Sequence, residues 1–240
     1  MTGMPVAERI HRDVVSYVRR SGRMNESQQR AWDAHRDAWV VELPSGERRT
    51  SVASAASVDW STVFGREAPL KVEIGSGTGH AVTALAEAMP EANVVAFEVF
   101  TPAVASTLGR LARHGVGNVR LVVADGAQAL ATVFAEGTVT ELWTFFPDPW
   151  HKARHHKRRL VSPEFAALAA SRLAPGGVWR LATDWTDYAE SMREVLDAEP
   201  GLVNCHEGWA PRFDARPVTK YERRGLEAGR TIHDLAYRRA

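Results

Sequence analysis

From Leu70 onward the chain alternates short apolar runs with helix-forming stretches, and few folds accept that rhythm. Leu70-Lys71-Val72-Glu73-Ile74 reads as a buried strand. Gly75-Ser76-Gly77-Thr78-Gly79 turns the chain, and 81–89 reads as a helix closed by Pro90. Further strands are predicted over 93–97, 119–123, 139–146, 178–183, 202–206 and 232–238. The helices between them are predicted over 101–114, 126–134, 163–173 and 186–198, with Pro175-Gly176-Gly177 ending the third of these. A helix between successive strands lets those strands run parallel, and helices then cover both faces of the sheet. The expectation is an α/β, Rossmann-like fold with a mostly parallel seven-stranded sheet. No helix is evident between the last two strands, so one strand is expected to be antiparallel.

Residues 1–69 lack this rhythm and are expected to form an N-terminal arm, with 70–240 as the main domain. Within the arm, Arg9 to Arg20 could form a basic amphipathic helix. A second short piece, helical or irregular, is predicted over 28–41 with Trp32 and Trp39. Two readings stand for the arm, a flexible or packing extension and a contact with RNA. Lys and Arg total 30 against 29 for Asp and Glu, so net charge does not advertise a polyanion partner and only local clustering can. Cys205 is the single cysteine, which excludes an internal disulfide and a cysteine-based metal cluster and suits a cytoplasmic setting. No apolar run approaches the roughly 20 residues of a membrane span. Residues 1–25 carry five arginines without an apolar stretch, which is not a secretory signal. No membrane and no metal are expected. The sequence is compatible with a monomer or a homodimer.

A strand, a glycine turn and a helix place backbone N–H groups at a helix N-terminus, where glycines let a ligand approach closely. The spacing of Gly75, Gly77 and Gly79 is Gly-x-Gly-x-Gly, not the Gly-x-Gly-x-x-Gly of dinucleotide enzymes. Glu73 also precedes the turn, and it repels a pyrophosphate and attracts an ammonium group. A nicotinamide-dependent oxidoreductase is therefore disfavoured. Glu98 ends the second strand about twenty residues after the turn, where a carboxylate can accept from both ribose hydroxyls. Asp125 ends the third strand and can accept from an adenine amine. Asp148 follows the fourth. Four acids at successive strand ends suit a nucleoside joined to an amino acid without phosphate. S-adenosylmethionine has that shape.

The fourth strand stops at Pro147-Asp148-Pro149-Trp150, a stiff loop because proline fixes φ and withholds a donor. Lys152, Arg154, Lys157, Arg158 and Arg159 follow, interleaved with His151, His155 and His156, and no acid appears before Glu164. One restrained carboxylate thus stands beside a dense positive field suited to a polyanion. The histidines lack a partner set at metal-ligand spacing. A solvated charged surface is the plain alternative for the basic run, and an RNA-binding module with an inactive fold is the alternative for the whole chain.

The first motif, 72–79, looks like that of class I methyltransferases. The stretch from Pro147 to Leu160 resembles the signature of bacterial tRNA (guanine-N7)-methyltransferases. So does Thr219-Lys220-Tyr221-Glu222-Arg223-Arg224-Gly225, with Tyr221 where many relatives have Phe. The likeness covers about 70–239, with a looser match at 16–30. It implies S-adenosylmethionine contacts at Glu73, Gly75, Gly77, Gly79, Glu98, Asp125 and Asp148, with Asp148 also catalytic. It implies tRNA contacts at Lys152, Asp184, Thr219, Lys220, Tyr221 and Glu222, with an RNA-binding strip from Arg154 to Arg159. The implied reaction is methyl transfer to N7 of a guanine in the tRNA variable loop. Either Asp184 or Glu222 is expected to accept the N1–H and 2-amino donors of that guanine.

Overall fold

A computed structural model of the chain describes residues 22–47 and 50–240. The basic helix expected at Arg9 to Arg20 lies outside the described residues. Seven strands form one sheet in the order β3-β2-β1-β4-β5-β7-β6. The described residues divide into two compact units, one of 22–47, 50–133 and Ala215–Pro217, the other of Phe134–Asp214 and Val218–Ala240.

The first unit holds β1 (Leu70–Ile74), β2 (Asn93–Phe97) and β3 (Val119–Val122), all parallel. Every residue of β2 is buried, as both-sided cover requires. The helices are α1 (Glu26–Trp39), α2 (Trp60–Phe64), α3 (His80–Ala88), α4 (Thr101–His114) and α5 (Gly126–Val133). The piece expected at 28–41 as helical or irregular is a helix, α1. It starts at a capping box in which the Asn25 side chain accepts from Gln28 N and the Gln28 side chain accepts from Asn25 N. Gln28 also donates to Ser106 Oγ at 3.0 Å, and Trp39 Nε1 donates to Val116 O at 2.9 Å. The chain leaving α1 donates Val41 N to Leu121 O at 2.9 Å, so it shields part of the β3 edge. This stretch of the expected arm therefore packs against α4 and β3. The short α2, not expected from the sequence, buries Trp60, whose Nε1 donates to Val133 O at 2.9 Å.

The second unit holds β4 (Val139–Phe145), β5 (Leu173–Thr183), β6 (Leu202–Asn204) and β7 (His233–Arg239). Strands β4 and β5 are parallel, while β7 runs antiparallel to both β5 and β6 and so is the expected reversed strand. The helices are α6 (Pro163–Arg172), α7 (Thr186–Asp197) and α8 (Lys220–Glu227). Two expectations are corrected. Pro175-Gly176-Gly177 does not lie between helix and strand, because α6 ends at Arg172 and β5 begins at once with Leu173. The register instead slips there, with Leu173 opposite Val139 and Val178 opposite Glu141. Gly177 fits this kink because a Cβ on it would stand 3.0 Å from Val139 O. The second correction is α8, a helix in the link where none was apparent. It has no apolar stripe to announce it, and its buried residues are Glu222 and Gly225. The core of this unit contains fully buried Trp143, Trp179, Tyr188 and Tyr237. Buried rings of this kind usually place their polar tips on a partner, and Trp179 Nε1 donates to Thr144 Oγ1 at 3.0 Å.

Candidate active site

In the first unit the turn after β1 takes three left-handed glycines, with φ of +79° at Gly75, +55° at Gly77 and +77° at Gly79. They do different work. A Cβ on Gly75 or Gly77 would meet nothing within 4 Å, so both face open space where a ligand can come close. A Cβ on Gly79 would stand 2.4 Å from the Thr107 side chain, so this glycine lets α3 approach α4. Gly79 is the N-cap of α3 and offers no side-chain cap. Of the first N–H groups of that helix, Val82 N–H donates to Glu73, and those of His80 and Ala81 have no side-chain cap from Gly79.

Glu98 ties the turn to the start of α4. Its Oε2 accepts from Gly77 N and its Oε1 from Phe100 N, both at 2.9 Å. A carboxylate has two acceptor oxygens, the number needed for the two hydroxyls of a ribose. Glu73 is buried, and its Oε2 has no hydrogen-bond partner. Burial, and then the nearby charge of Glu98, pushes its carboxyl up to about 8, against a smaller opposing effect from the Val82 N–H. An orphaned buried carboxyl oxygen beside an open glycine turn fits the cationic amino-acid end of S-adenosylmethionine. Asp125 is buried and caps α5, its Oδ1 accepting from Ala127 N at 3.0 Å and Gln128 N at 3.2 Å. Its Oδ2 is left for an amine donor. A cavity of about 310 Å³ in this unit has nothing to do with these acids. Its lining of Arg66, Pro90 and 114–118 lies at the amino ends of the strands, opposite the turn. The Arg66 and Asn118 side chains there already bond backbone carbonyls.

In the second unit the chain leaving β4 is strained. Phe146 at φ +52° and Trp150 at φ +47° are both left-handed without being glycine, and they bracket Pro147-Asp148-Pro149. The surroundings hold this shape. Phe146 N donates to Ala182 O at 2.7 Å, and Arg159 Nε to Pro149 O at 3.0 Å. The His151 and Trp185 rings meet at 4.1 Å, and the Arg158 guanidinium lies 4.9 Å from the centre of the Trp150 ring. Asp148 is exposed, yet the protein crowding it raises its carboxyl above the ordinary carboxylate range, with His151 opposing. Residues Ala153–Arg158 form a 3-10 helix that presents Arg154 and Lys157 to solvent, and Lys152 before it is exposed as well. Desolvation and the cations of this strip, Arg158 first, lower the His155 pKa.

Arg159 does not share that exposure. It is 5% exposed, pairs with Asp187 and lies 4.7 Å from the Tyr188 ring centre. The strip expected from Arg154 to Arg159 thus contains an anchor at its end. Asp184 follows β5 directly, and its Oδ2 accepts from Arg230 Nε at 2.8 Å. Thr219 is the N-cap of α8, with Oγ1 accepting from Glu222 N at 3.2 Å. Glu222 is buried and takes Arg212 on both oxygens, Nε to Oε1 at 2.7 Å and Nη2 to Oε2 at 3.3 Å. Lys220 and Tyr221, in the first turn of α8, are exposed, Tyr221 by 58%. Sequence reasoning missed Arg212 and Arg230, which carry no motif. The signal that was present is Gly229-Arg230, a glycine helix stop followed by a cation. No cluster of metal-ligating side chains occurs among the described residues, and no described helix is long and apolar enough to cross a membrane.

A family described as "Putative methyltransferase" matches residues 67–235. The chain is 52% identical over 235 residues to a tRNA (guanine-N(7)-)-methyltransferase of Cutibacterium acnes, covering 97% of this chain and 85% of that one. It is 44% identical over 232 residues to the enzyme of the same description from Pseudomonas syringae pv. tomato, covering 96% of this chain and 91% of that one. Among solved structures, the 16S rRNA methyltransferase KamB matches at a TM-score of 0.57 and 18% identity, covering 82% of this chain and 98% of that one. A 16S rRNA (adenine(1408)-N(1))-methyltransferase from Catenulisporales acidiphilia, solved with S-adenosylmethionine, matches at a TM-score of 0.53 and 18% identity, covering 76% and 92%. These two likenesses show a class I methyltransferase fold.

Proposed function

The chain belongs to the tRNA (guanine-N(7)-)-methyltransferase family, and from that premise we infer which of its residues hold the methyl donor and which hold the tRNA. It is a methyltransferase acting on N7 of a tRNA guanine. The donor is S-adenosylmethionine and the target guanine lies in the variable loop. Glu98 takes the ribose hydroxyls, Asp125 the adenine amine, and Glu73 with the turn of Gly75, Gly77 and Gly79 the amino-acid end. The observation that carries this reading is the orphaned Oε2 of Glu73 beside a turn open at Gly75 and Gly77.

When bound, S-adenosylmethionine supplies an electrophilic methyl group on a sulfonium. Guanine N7 already has an in-plane lone pair and no proton, so no side chain has to act as a strong base. The residues have mainly to align the reactants, and alignment of this kind contributes on the order of 7–11 kcal/mol. The purine becomes cationic as the methyl arrives. The carboxylate of Asp148, held by a strained loop, favours that developing charge. Lys152, Arg154, Lys157 and Arg158 hold tRNA phosphates, with Arg159 fixing the strip from within. Asp184 and the exposed Lys220 and Tyr221 at the start of α8 face the substrate, with Thr219 and Glu222 holding that helix end in place. The enzyme works in the cytoplasm, where tRNA is modified.

The test is incubation with bulk unmodified tRNA and methyl-labelled S-adenosylmethionine, followed by mass-spectrometric mapping. Label on N7 of a variable-loop guanine is the expected outcome. Label elsewhere, or none, overturns the reading.

A further inference from the structure

Asp184 and Glu222 are equivalent candidates in the sequence for reading the guanine edge, but their surroundings are not equivalent. Glu222 is 2% exposed, and the Arg212 fork occupies both of its oxygens. Its own N–H is taken by Thr219, which caps α8. A base donor pair would have to displace a buried ion pair to reach this carboxylate. Asp184 is half-buried at the end of β5. Arg230 places both Nε and Nη2 2.8 Å from the same oxygen, Oδ2, and Oδ1 has no partner among the described residues.

The position of Arg230 is itself fixed. Helix α8 ends in a left-handed glycine, Gly229 at φ +69°. Gly229 N donates to Leu226 O and Arg230 N to Gly225 O, both at 2.9 Å. The Arg230 side chain also reaches back to Arg224 O at 3.5 Å, where a cation suits the negative end of a helix. On the other side, a Cβ on Gly225 would stand 2.8 Å from Asp184 Cβ and 3.0 Å from Oδ2. The end of α8 therefore presses on Asp184 through Gly225 and grips one of its oxygens through Arg230. This leaves a carboxylate in a set orientation with one oxygen presented outward.

We propose that Arg230 is a positioning residue for guanine recognition, orienting Asp184 so that this carboxylate accepts from the guanine edge, and that Glu222 serves as the Arg212-bound clasp of α8 and does not touch the base. The proposal rests on the tRNA guanine-N7 reading above. It concerns discrimination, so discrimination is what has to be measured. The substrates are a tRNA transcript with guanosine at the target position and the same transcript with inosine there. Inosine keeps N7 and N1–H and lacks the 2-amino group.

The wild type should prefer guanosine over inosine by about tenfold or more in kcat/KM. Arg230→Ala should lower kcat/KM on guanosine and collapse that preference to within about threefold, with S-adenosylmethionine affinity unchanged. Arg230→Lys, which keeps a cation at the site, should recover part of the preference. Asp184→Asn should collapse it as well. Glu222→Gln should lower the melting temperature and leave the preference at its wild-type value. A merely structural Arg230 would depress both substrates equally, and an unchanged ratio in Arg230→Ala overturns the proposal. So does a wild type that does not discriminate, or a preference lost in Glu222→Gln and kept in Asp184→Asn. Failure of the wild type to methylate the guanosine transcript at all would instead overturn the tRNA reading.

Discussion

Replacing Glu73 with Gln should stabilise the ligand-free protein, and by an amount that depends on pH. The folded chain holds this carboxyl at a pKa of about 8, against 4.5 for the free side chain. Below about pH 4.5 the folded and unfolded chains both keep the proton, and nothing distinguishes them. Between 4.5 and about 8 only the unfolded chain releases it, so rising pH favours unfolding. Above about 8 both forms are ionised and the penalty stops growing. Each unit of the gap corresponds to about 1.4 kcal/mol. The penalty is therefore about 3 kcal/mol at about pH 7 and at most about 5 kcal/mol at about pH 8 and above. Glutamine keeps the shape and cannot ionise. Urea denaturation of both proteins at about pH 5, 6.5 and 8 isolates the effect, because other titrating groups cancel in the difference. Glu73→Gln should be ahead by under about 1 kcal/mol at about pH 5 and by several at about pH 8. A difference that stays flat with pH would show that Glu73 ionises normally and that its buried oxygen is solvated.

Other expectations follow from the same geometry. Glu98→Ala removes the acceptor for Gly77 N and Phe100 N and, in the proposed site, for the ribose, where each charge-assisted bond is worth about 1.5–3 kcal/mol. It should weaken S-adenosylmethionine binding at least tenfold by calorimetry, and unchanged affinity would remove Glu98 from the site. Arg154→Ala with Lys157→Ala should lower the slope of log K for tRNA against log salt by about 0.7–0.9 for each phosphate left unneutralised, with melting temperature unchanged. Arg159→Ala should do the reverse, costing about 1–3 kcal/mol of stability by removing the buried side chain that donates to Pro149 O and packs on Tyr188, and a normal melting temperature would contradict its role as an anchor. Asp148→Asn should cut kcat with little change in tRNA KM, and near-normal kcat would mean that charge at this position does not matter.

Wherever one kind of periodicity ran uninterrupted, strand and helix were legible to within a residue or two. Strand β2 and helix α4 match their predicted bounds because their apolar positions face a core and Gly115 stops the helix. The placement of Glu98, Asp125 and Asp148 just beyond strands was legible because a strand end followed by a carboxylate is a local pattern. What escaped was set by distant parts of the chain. Helix α8 is held by its caps and by one ion pair, Arg212 with Glu222, so hydrophobic spacing could not reveal it. Pro175-Gly176-Gly177 resembles a helix stop, and its use as a kink inside β5 depends on the facing Val139. The basic strip looked uniform because charge pattern says nothing of depth, and Asp187 and Tyr188, which draw Arg159 inward, lie on α7.

Strand β7 has a consequence for how the molecule is made. It lies between β5 and β6, and β6 pairs with β7. Residues 202–204 thus leave the ribosome well before their sheet neighbour does. Until His233–Arg239 arrives, the β7-facing side of β5 stays an open edge, the kind of surface on which incomplete chains aggregate. Arg230 precedes this strand by three residues, so its grip on Asp184 belongs to the same late event. A chain cut after Gly229 would lose both together. Its folding should depend on being held or shielded at that edge while synthesis finishes.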